Sequence, residues 1–214
     1  MRSRNMPGSR QPLRRVAGSL LCAGFALMVP GVAFAVSSQT GTDAVPPTFA
    51  AYAGGILLIG TVSLTLTGLI AFDALLWSSG DRALSSAATA AYAVAATAWV
   101  IATGRAFALH VWTYELEVVF IVASALAMVA FGVSVLRTSA ISRRTGWLAI
   151  GWSIGALIVF ALPYEGFPPL VTQLVPLTFG VALLRRDARA SSAATGSERD
   201  VAAAAGAPPP PMGA

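Results

Sequence analysis

Six long apolar runs leave this sequence few folds to adopt. They cover residues 16–36, 50–77, 87–103, 118–136, 147–163 and 169–184. Crossing about 30 Å of hydrocarbon takes roughly 20 helical residues, and lipid-facing backbone must form either helices or a closed barrel. The runs therefore predict an all-α fold, a polytopic transmembrane bundle of six helices.

Charged side chains are scarce between the two ends of the chain. The 214 residues include only 14 basic and 9 acidic side chains, 56% are hydrophobic, and the mean hydropathy is +0.73. This composition excludes an ordinary soluble domain. We divide the chain into an Arg-rich N-terminal tail (1–15), the membrane bundle (16–184) and a C-terminal tail (185–214). The tail is rich in Ala, Ser, Gly and Pro, which predicts disorder.

All basic residues are arginines, and their distribution predicts the orientation. With a cytoplasmic N-terminus, 13 of the 14 arginines lie on the cytoplasmic side and only Arg105 lies opposite. The positive-inside rule then places both termini in the cytoplasm and the protein in a bacterial inner membrane. No basic stretch is interleaved with aromatic residues, so we expect the lipid bilayer, and no nucleic acid, as a partner.

The first run has two interpretations. Arg14 and Arg15 precede an apolar core, and residues 33–35 (Ala-Phe-Ala) form a small-x-small pattern typical of a cleavable secretory signal. Cleavage before Val36 leaves five spans. The length of the run and the even number of spans that it gives favour a retained helix.

Asp73 is the one acidic residue inside a predicted span. It lies one helical turn from the end of its run at Trp77, where the carboxylate can reach the interface or pair with Arg82. Ionisable groups in membranes often mark proton or cation relays. We favour the interfacial anchor and keep the relay as the alternative.

A second group of ionisable residues lies on the predicted outer side: His110, Glu117 and, from the next outer loop, Glu165. If the chain is helical from Ala106, His110 and Glu117 share one face. An imidazole with carboxylates can bind a divalent cation or move a proton. The spacing matches no recognised metal motif, so we expect an interfacial or solvated loop, with a membrane enzyme site as the alternative.

Small residues at helical spacing predict helix packing. The third run carries Ala87, Ala91 and Ala95, and the fifth carries Gly151 and Gly155. Both patterns allow close backbone approach. We expect them to assemble the bundle or to contact other membrane proteins or a second copy.

Pro176 lies in the middle of the sixth run. It removes a backbone hydrogen bond and predicts a kink that frees a carbonyl near Thr172 and Gln173. Transporters build mid-membrane sites from broken helices with polar neighbours. Gln173 and Pro176 are therefore the candidate intramembrane pocket, although a purely structural kink is the interpretation that we favour.

Recognised catalytic motifs are absent from the sequence. A single histidine excludes bis-imidazole haem ligation, the lone Cys22 excludes an intramolecular disulfide, and no HExxH, GxGxxG or Walker pattern occurs. We predict no catalytic residue, metal or cofactor. The leading function is a non-enzymatic structural or accessory membrane protein. The alternatives are a small transporter or channel subunit using Asp73 or the Pro176 kink, and a membrane enzyme with a His110 and Glu117 site.

The last two runs carry a resemblance. The segments VLRTSAISRRTGWLAIGWSIGALI and FPPLVTQLVPLTFGVALLRR resemble the ends of many small multi-span bacterial membrane proteins of unknown function. The resemblance implies a six-helix inner-membrane protein without an established activity. It assigns a role to no residue.

Overall fold

A computed structural model describes residues 10–40, 47–109, 113–161 and 170–205. These residues form six α-helices, which confirms the predicted all-α fold: α1 (Arg10–Thr40), α2 (Pro47–Trp77), α3 (Ala83–Leu109), α4 (Tyr114–Thr138), α5 (Arg143–Ala161) and α6 (Leu170–Ala205). Helices α1 to α5 are long and apolar enough to cross a membrane. In α6 the apolar part ends at Leu184, because charged residues follow directly.

Two short turns make neighbouring helices antiparallel. After α2, Gly80 adopts φ +106°, a left-handed conformation that glycine takes without strain. The Asp81 carboxylate then accepts a hydrogen bond from the Leu84 N–H at 3.4 Å, at the start of α3. After α4, Ser139 takes the left-handed conformation, and its N–H donates to the Val135 carbonyl at 2.9 Å. Both turns occur where the sequence breaks between apolar runs.

The helices pack in chain order, and α6 returns to α1, which closes the bundle. Phe72 of α2, Phe131 of α4 and Phe179 of α6 are fully buried. The ring centroid of Phe72 lies 5.7 Å from that of Phe131 and 5.2 Å from that of Phe179. No residue between 171 and 184 is exposed. The short apolar part of α6 is thus enclosed by the other helices.

Glycines form the closest contacts between helices. A Cβ on Gly132 of α4 would lie 2.8 Å from the carbonyl oxygen of Gly146 on α5. A Cβ on Gly180 of α6 would lie 3.0 Å from the carbonyl oxygen of Gly18 on α1. Any larger side chain would meet backbone that cannot move away, so these two interfaces depend on glycine.

Two helices extend beyond their predicted ends. Helix α3 continues past Thr103, where the third apolar run ends, to Leu109. Helix α6 continues past Leu184 to Ala205, through residues for which the sequence predicted a disordered tail. Alanine and arginine are strong helix formers, so they extend a helix that the apolar segment has already begun. Residues 206–214 lie outside the described part of the chain.

Large apolar side chains are exposed along the first five helices. They include Val29, Ile56, Val94, Leu126 and Ile158, each more than half exposed. Water disfavours so much exposed apolar surface, whereas lipid chains accept it. Fold and composition together identify a multi-pass helical membrane protein.

Candidate functional site

The centre of the bundle contains a buried chain of polar side chains. The Thr65 hydroxyl of α2 donates to Oε1 of Gln173 at 3.1 Å, and Nε2 of Gln173 donates to the Tyr92 hydroxyl of α3 at 3.0 Å. Thr65, Gln173 and Tyr92 are 0%, 2% and 1% exposed. We call these residues the polar triad. They join α2, α6 and α3 inside the bundle.

The chemistry of the polar triad is that of a helix clamp. Its members are a hydroxyl, an amide and a phenol, and each is neutral near pH 7. An unsatisfied polar group in this environment would be costly, so the two hydrogen bonds hold the three helices in one register. The arrangement supplies no charged group to carry a proton or bind a cation.

The surroundings of Pro176 provide little space. Helix α6 continues through Pro176, and Nε1 of Trp152 on α5 donates to the Val171 carbonyl at 2.8 Å. A neighbouring cavity lined by Thr172 and Ser153 measures about 10 Å³. That is at most the space of one water molecule. This cavity is too small for a transported substrate, and a pocket formed by Gln173 and Pro176 stays a prediction.

Asp73 lies apart from the polar triad. It is eight residues beyond Thr65 on α2, or about 12 Å along the helix axis. Its side chain is half-buried, and its Oδ1 has no hydrogen-bond partner among the described residues. Among the described residues Arg82 forms no ion pair with Asp73, and its guanidinium lies 4.3 Å from the ring centroid of Trp77.

A transport path would need polar side chains of several helices to lie together, and Asp73, Thr97 and Gln173 do not converge. Thr97 is exposed on α3, and its hydroxyl donates to the Ala93 carbonyl of its own helix. Gln173 is buried with the polar triad, and Asp73 lies at another depth. The structure therefore does not join Asp73, Thr97 and Gln173 in one cavity.

The outer group of ionisable residues is only partly described. His110 and Glu165 lie outside the described residues, while Glu117 lies half-buried in the first turn of α4. Helix α3 ends at Leu109, and Thr113 has an extended backbone before α4. The continuous helix on which a shared face of His110 and Glu117 depended is not formed. That His110, Glu117 and Glu165 lie close together stays a prediction.

The predicted alanine stripe on α3 faces several environments. Ala95 is fully buried in the core, Ala91 packs partly against it, and Ala87 is exposed. The contact with neighbouring helices thus becomes closer toward Ala95. A role in helix packing stays a prediction for the stripe as a whole.

The glycines of α5 lie on the outside of the bundle. A Cβ built on Gly151 or Gly155 would meet no described atom within 4 Å. Trp147 and Ile158 share their helix face, since the four residues are spaced by four, four and three positions. Trp147 is 65% and Ile158 is 59% exposed. We call these four residues the α5 outer face.

An ion pair that the sequence did not predict links α1 to α6, the first and last helices of the bundle. Nε of Arg15 on α1 donates to Oδ2 of Asp187 on α6, and Nε2 of Gln11 donates to the Ser191 hydroxyl at 3.1 Å. Asp187 is only 5% exposed. The partners are far apart in the chain, so no local spacing relates them. The same is true of Thr65, Tyr92 and Gln173.

No three His, Cys, Asp or Glu side chains of the described residues are grouped as metal ligands. Comparisons with protein family models, curated proteins and solved structures find no match to this chain. They identify no family or homologue, and what composition and helices show is a multi-span helical membrane protein.

Proposed function

We propose that this chain is a non-enzymatic structural or accessory component of a membrane assembly. The α5 outer face carries the proposal. Two glycines one turn apart lie open between exposed apolar side chains, and this pattern lets a second transmembrane helix approach closely. The partner helix belongs to a second copy of the chain or to another membrane protein.

The interior of the bundle supports a structural role over transport. Its best-defined polar group, the polar triad, is used in helix contacts. Phe72, Phe131 and Phe179 pack between the level of this triad and the end of the bundle where Arg14 and Arg186 lie. Apolar rings at that level oppose a continuous hydrated path.

A glycine substitution tests the proposed interface. Gly155→Leu should remove the close approach while preserving membrane insertion, because leucine is more apolar than glycine. Blue native electrophoresis of gently solubilised membranes should then show a smaller complex. Gly104→Leu is the matched control, since Gly104 also faces open space but lies on α3. Equal complex sizes for the wild type and both variants would show that the α5 outer face contacts lipid.

We further propose that both termini are cytoplasmic in a bacterial inner membrane. The arginine distribution supports this orientation. Reporter fusions should alternate out, in, out, in, out, in when placed after Thr42, Ser85, Tyr114, Ser142, Gly166 and Ser191. Two consecutive fusions reporting the same side would contradict the six-span topology.

Helix α1 is part of the mature bundle in this proposal. A Cβ on Gly68 of α2 would lie 3.1 Å from the backbone nitrogen of Leu21, and one on Gly54 would lie 3.1 Å from the Gly31 carbonyl oxygen. Close contacts at both ends of the α1–α2 interface support retention of α1, since a cleaved signal needs no such fit. N-terminal sequencing of the mature protein tests this directly. A chain beginning at Val36 would show that α1 is removed.

A further inference from the structure

A cavity of about 380 Å³ lies at the end of the bundle where α2 and α4 terminate. Its rim is polar and contains two arginines and four hydroxyl residues: Arg14, Ser78, Ser79, Thr138, Ser139 and Arg186. No acidic side chain lines it among the described residues. Its size falls within the range of about 300–1,000 Å³ that is usual for small-molecule sites.

The charge at this cavity is positive. The C-terminal ends of α2 and α4 contribute about half a negative charge each, whereas Arg14 and Arg186 contribute a full positive charge each. The nearby carboxylate of Asp187 is paired with Arg15 and does not line the cavity. The excess positive charge favours an anion.

Arg186 is held in place for such a role. Its Nη1 donates to the Ser139 carbonyl at 3.1 Å and to the Ala140 carbonyl. The guanidinium has five N–H donors, so the donors on Nε and Nη2 stay available beyond these two contacts within the described residues. The Nε–Nη2 edge of this planar guanidinium presents two donors side by side, which match two oxygens of a phosphate group.

The inner end of the cavity is closed. Phe72 and Leu183 line it, and both are buried. Phe72 also packs on Phe131 and Phe179, which separate the cavity from the polar triad. A ligand that enters from the rim therefore stops at the aromatic rings, as expected of a binding site and not of a channel.

We propose that this cavity binds a phosphate group, carried either by the headgroup of an acidic phospholipid or by a small soluble phosphate compound. Basic pockets between transmembrane helices are suited to lipid phosphates, and the same donors suit a free phosphate. The site does not depend on the α5 outer face or on self-association.

Binding to the full chain in detergent micelles tests the site with two probes. Inorganic phosphate is titrated by calorimetry at constant ionic strength, with chloride as the reference anion. Dioleoyl phosphatidic acid is compared with dioleoyl phosphatidylcholine by native mass spectrometry. Binding of inorganic phosphate identifies a soluble source, whereas binding of phosphatidic acid alone identifies a lipid headgroup.

Arginine variants locate the binding. Arg14→Gln and Arg186→Gln should each lower the affinity for the bound probe by about tenfold or more. This is the loss expected when a hydrogen bond to a charged group is removed. Arg185→Gln removes the same charge from an adjacent exposed residue that does not line the cavity. It should change the affinity by less than about threefold.

Ser79→Leu tests the cavity without changing either arginine. Such a variant is needed because Arg186 also stabilises the end of α4, so that Arg186→Gln affects the fold as well as the binding site. A leucine at this half-buried position should narrow the cavity and weaken probe binding while both arginines remain. Two results would overturn the proposal. One is that neither probe binds the wild type better than chloride or phosphatidylcholine does. The other is that the cavity variants and Arg185→Gln bind equally well.

Discussion

Helices α5 and α6 are neighbours in the chain but are covered to very different extents. No residue of α6 between 171 and 184 is exposed, whereas α5 exposes six large apolar side chains: Trp147, Leu148, Trp152, Ile154, Ile158 and Val159. The enclosed helix packs against α1, α4 and α5 within the chain. The exposed helix retains an apolar surface that only lipid or another protein can cover.

Glycines show the same contrast. Gly180 of α6 lies against α1, where a Cβ would be 2.9 Å from the Cys22 sulfur. Gly155 of α5 has open space at the corresponding position. One residue type thus serves two purposes, close packing within the chain and an open surface at its edge. The following substitutions separate these purposes.

The largest effect is expected for Gly180→Leu. The new side chain would overlap Cys22 and the carbonyl of Gly18, and backbone cannot relax as a side chain can. We expect the free energy of unfolding to fall by about 3 kcal/mol. The measurement is the thermal midpoint of the full chain in detergent, which should fall with it. Gly104→Leu should leave the midpoint near that of the wild type. Equal midpoints for the two variants would contradict the tight contact between α1 and α6.

A smaller effect is expected for Thr65→Val. This nearly isosteric change removes the hydrogen bond to Gln173 and should cost about 1 kcal/mol. Thr67→Val is the control, since Thr67 is exposed and donates to the Ser63 carbonyl of its own helix.

A double-mutant cycle isolates the contact between Thr65 and Gln173. Combining Thr65→Val with Gln173→Leu should cost less than the sum of the single changes, because both remove the same bond. Strict additivity of the thermal stabilities would show that the polar triad does not act as a unit.

The smallest effect is expected for Asp73→Asn. The substitution keeps the size of the side chain and removes the charge of a half-buried carboxylate that lies away from the polar triad. Stability should change by less than about 0.5 kcal/mol. Proton and cation flux into vesicles should be equally low for both forms. A flux present in the wild type and lost in a folded Asp73→Asn variant would make Asp73 a relay.

Apolar runs predicted the helices because bilayer thickness and backbone hydrogen bonding leave one solution for such segments. Helix ends were less predictable. Alanine and arginine after Leu184 are compatible with both a helix and a tail, and the helical form docks on α1 through Asp187 and Ser191. Tertiary contacts of this kind have no local sequence signal.

Side-chain sites were predictable only when one helix carried the whole pattern. Gly151 and Gly155 stand out by spacing, but spacing does not reveal which surface covers them. Gly132 and Gly146 pack closely, yet Gly132 is the only glycine of α4 and Gly146 lies five residues before Gly151 on α5, so neither belongs to a four-residue spacing. The cavity with Arg14 and Arg186 combines residues from four parts of the chain, so it became visible only in the folded bundle.

Photo-crosslinking in native membranes tests the central claim, that the α5 outer face contacts another transmembrane helix. Benzoylphenylalanine replaces Ile158 or, as the control, Val94 of α3, which are 59% and 57% exposed. Illumination should give a discrete protein adduct from position 158 that Gly155→Leu suppresses, and none from position 94. No protein adduct at position 158, or equal adducts at both positions, would contradict the claim.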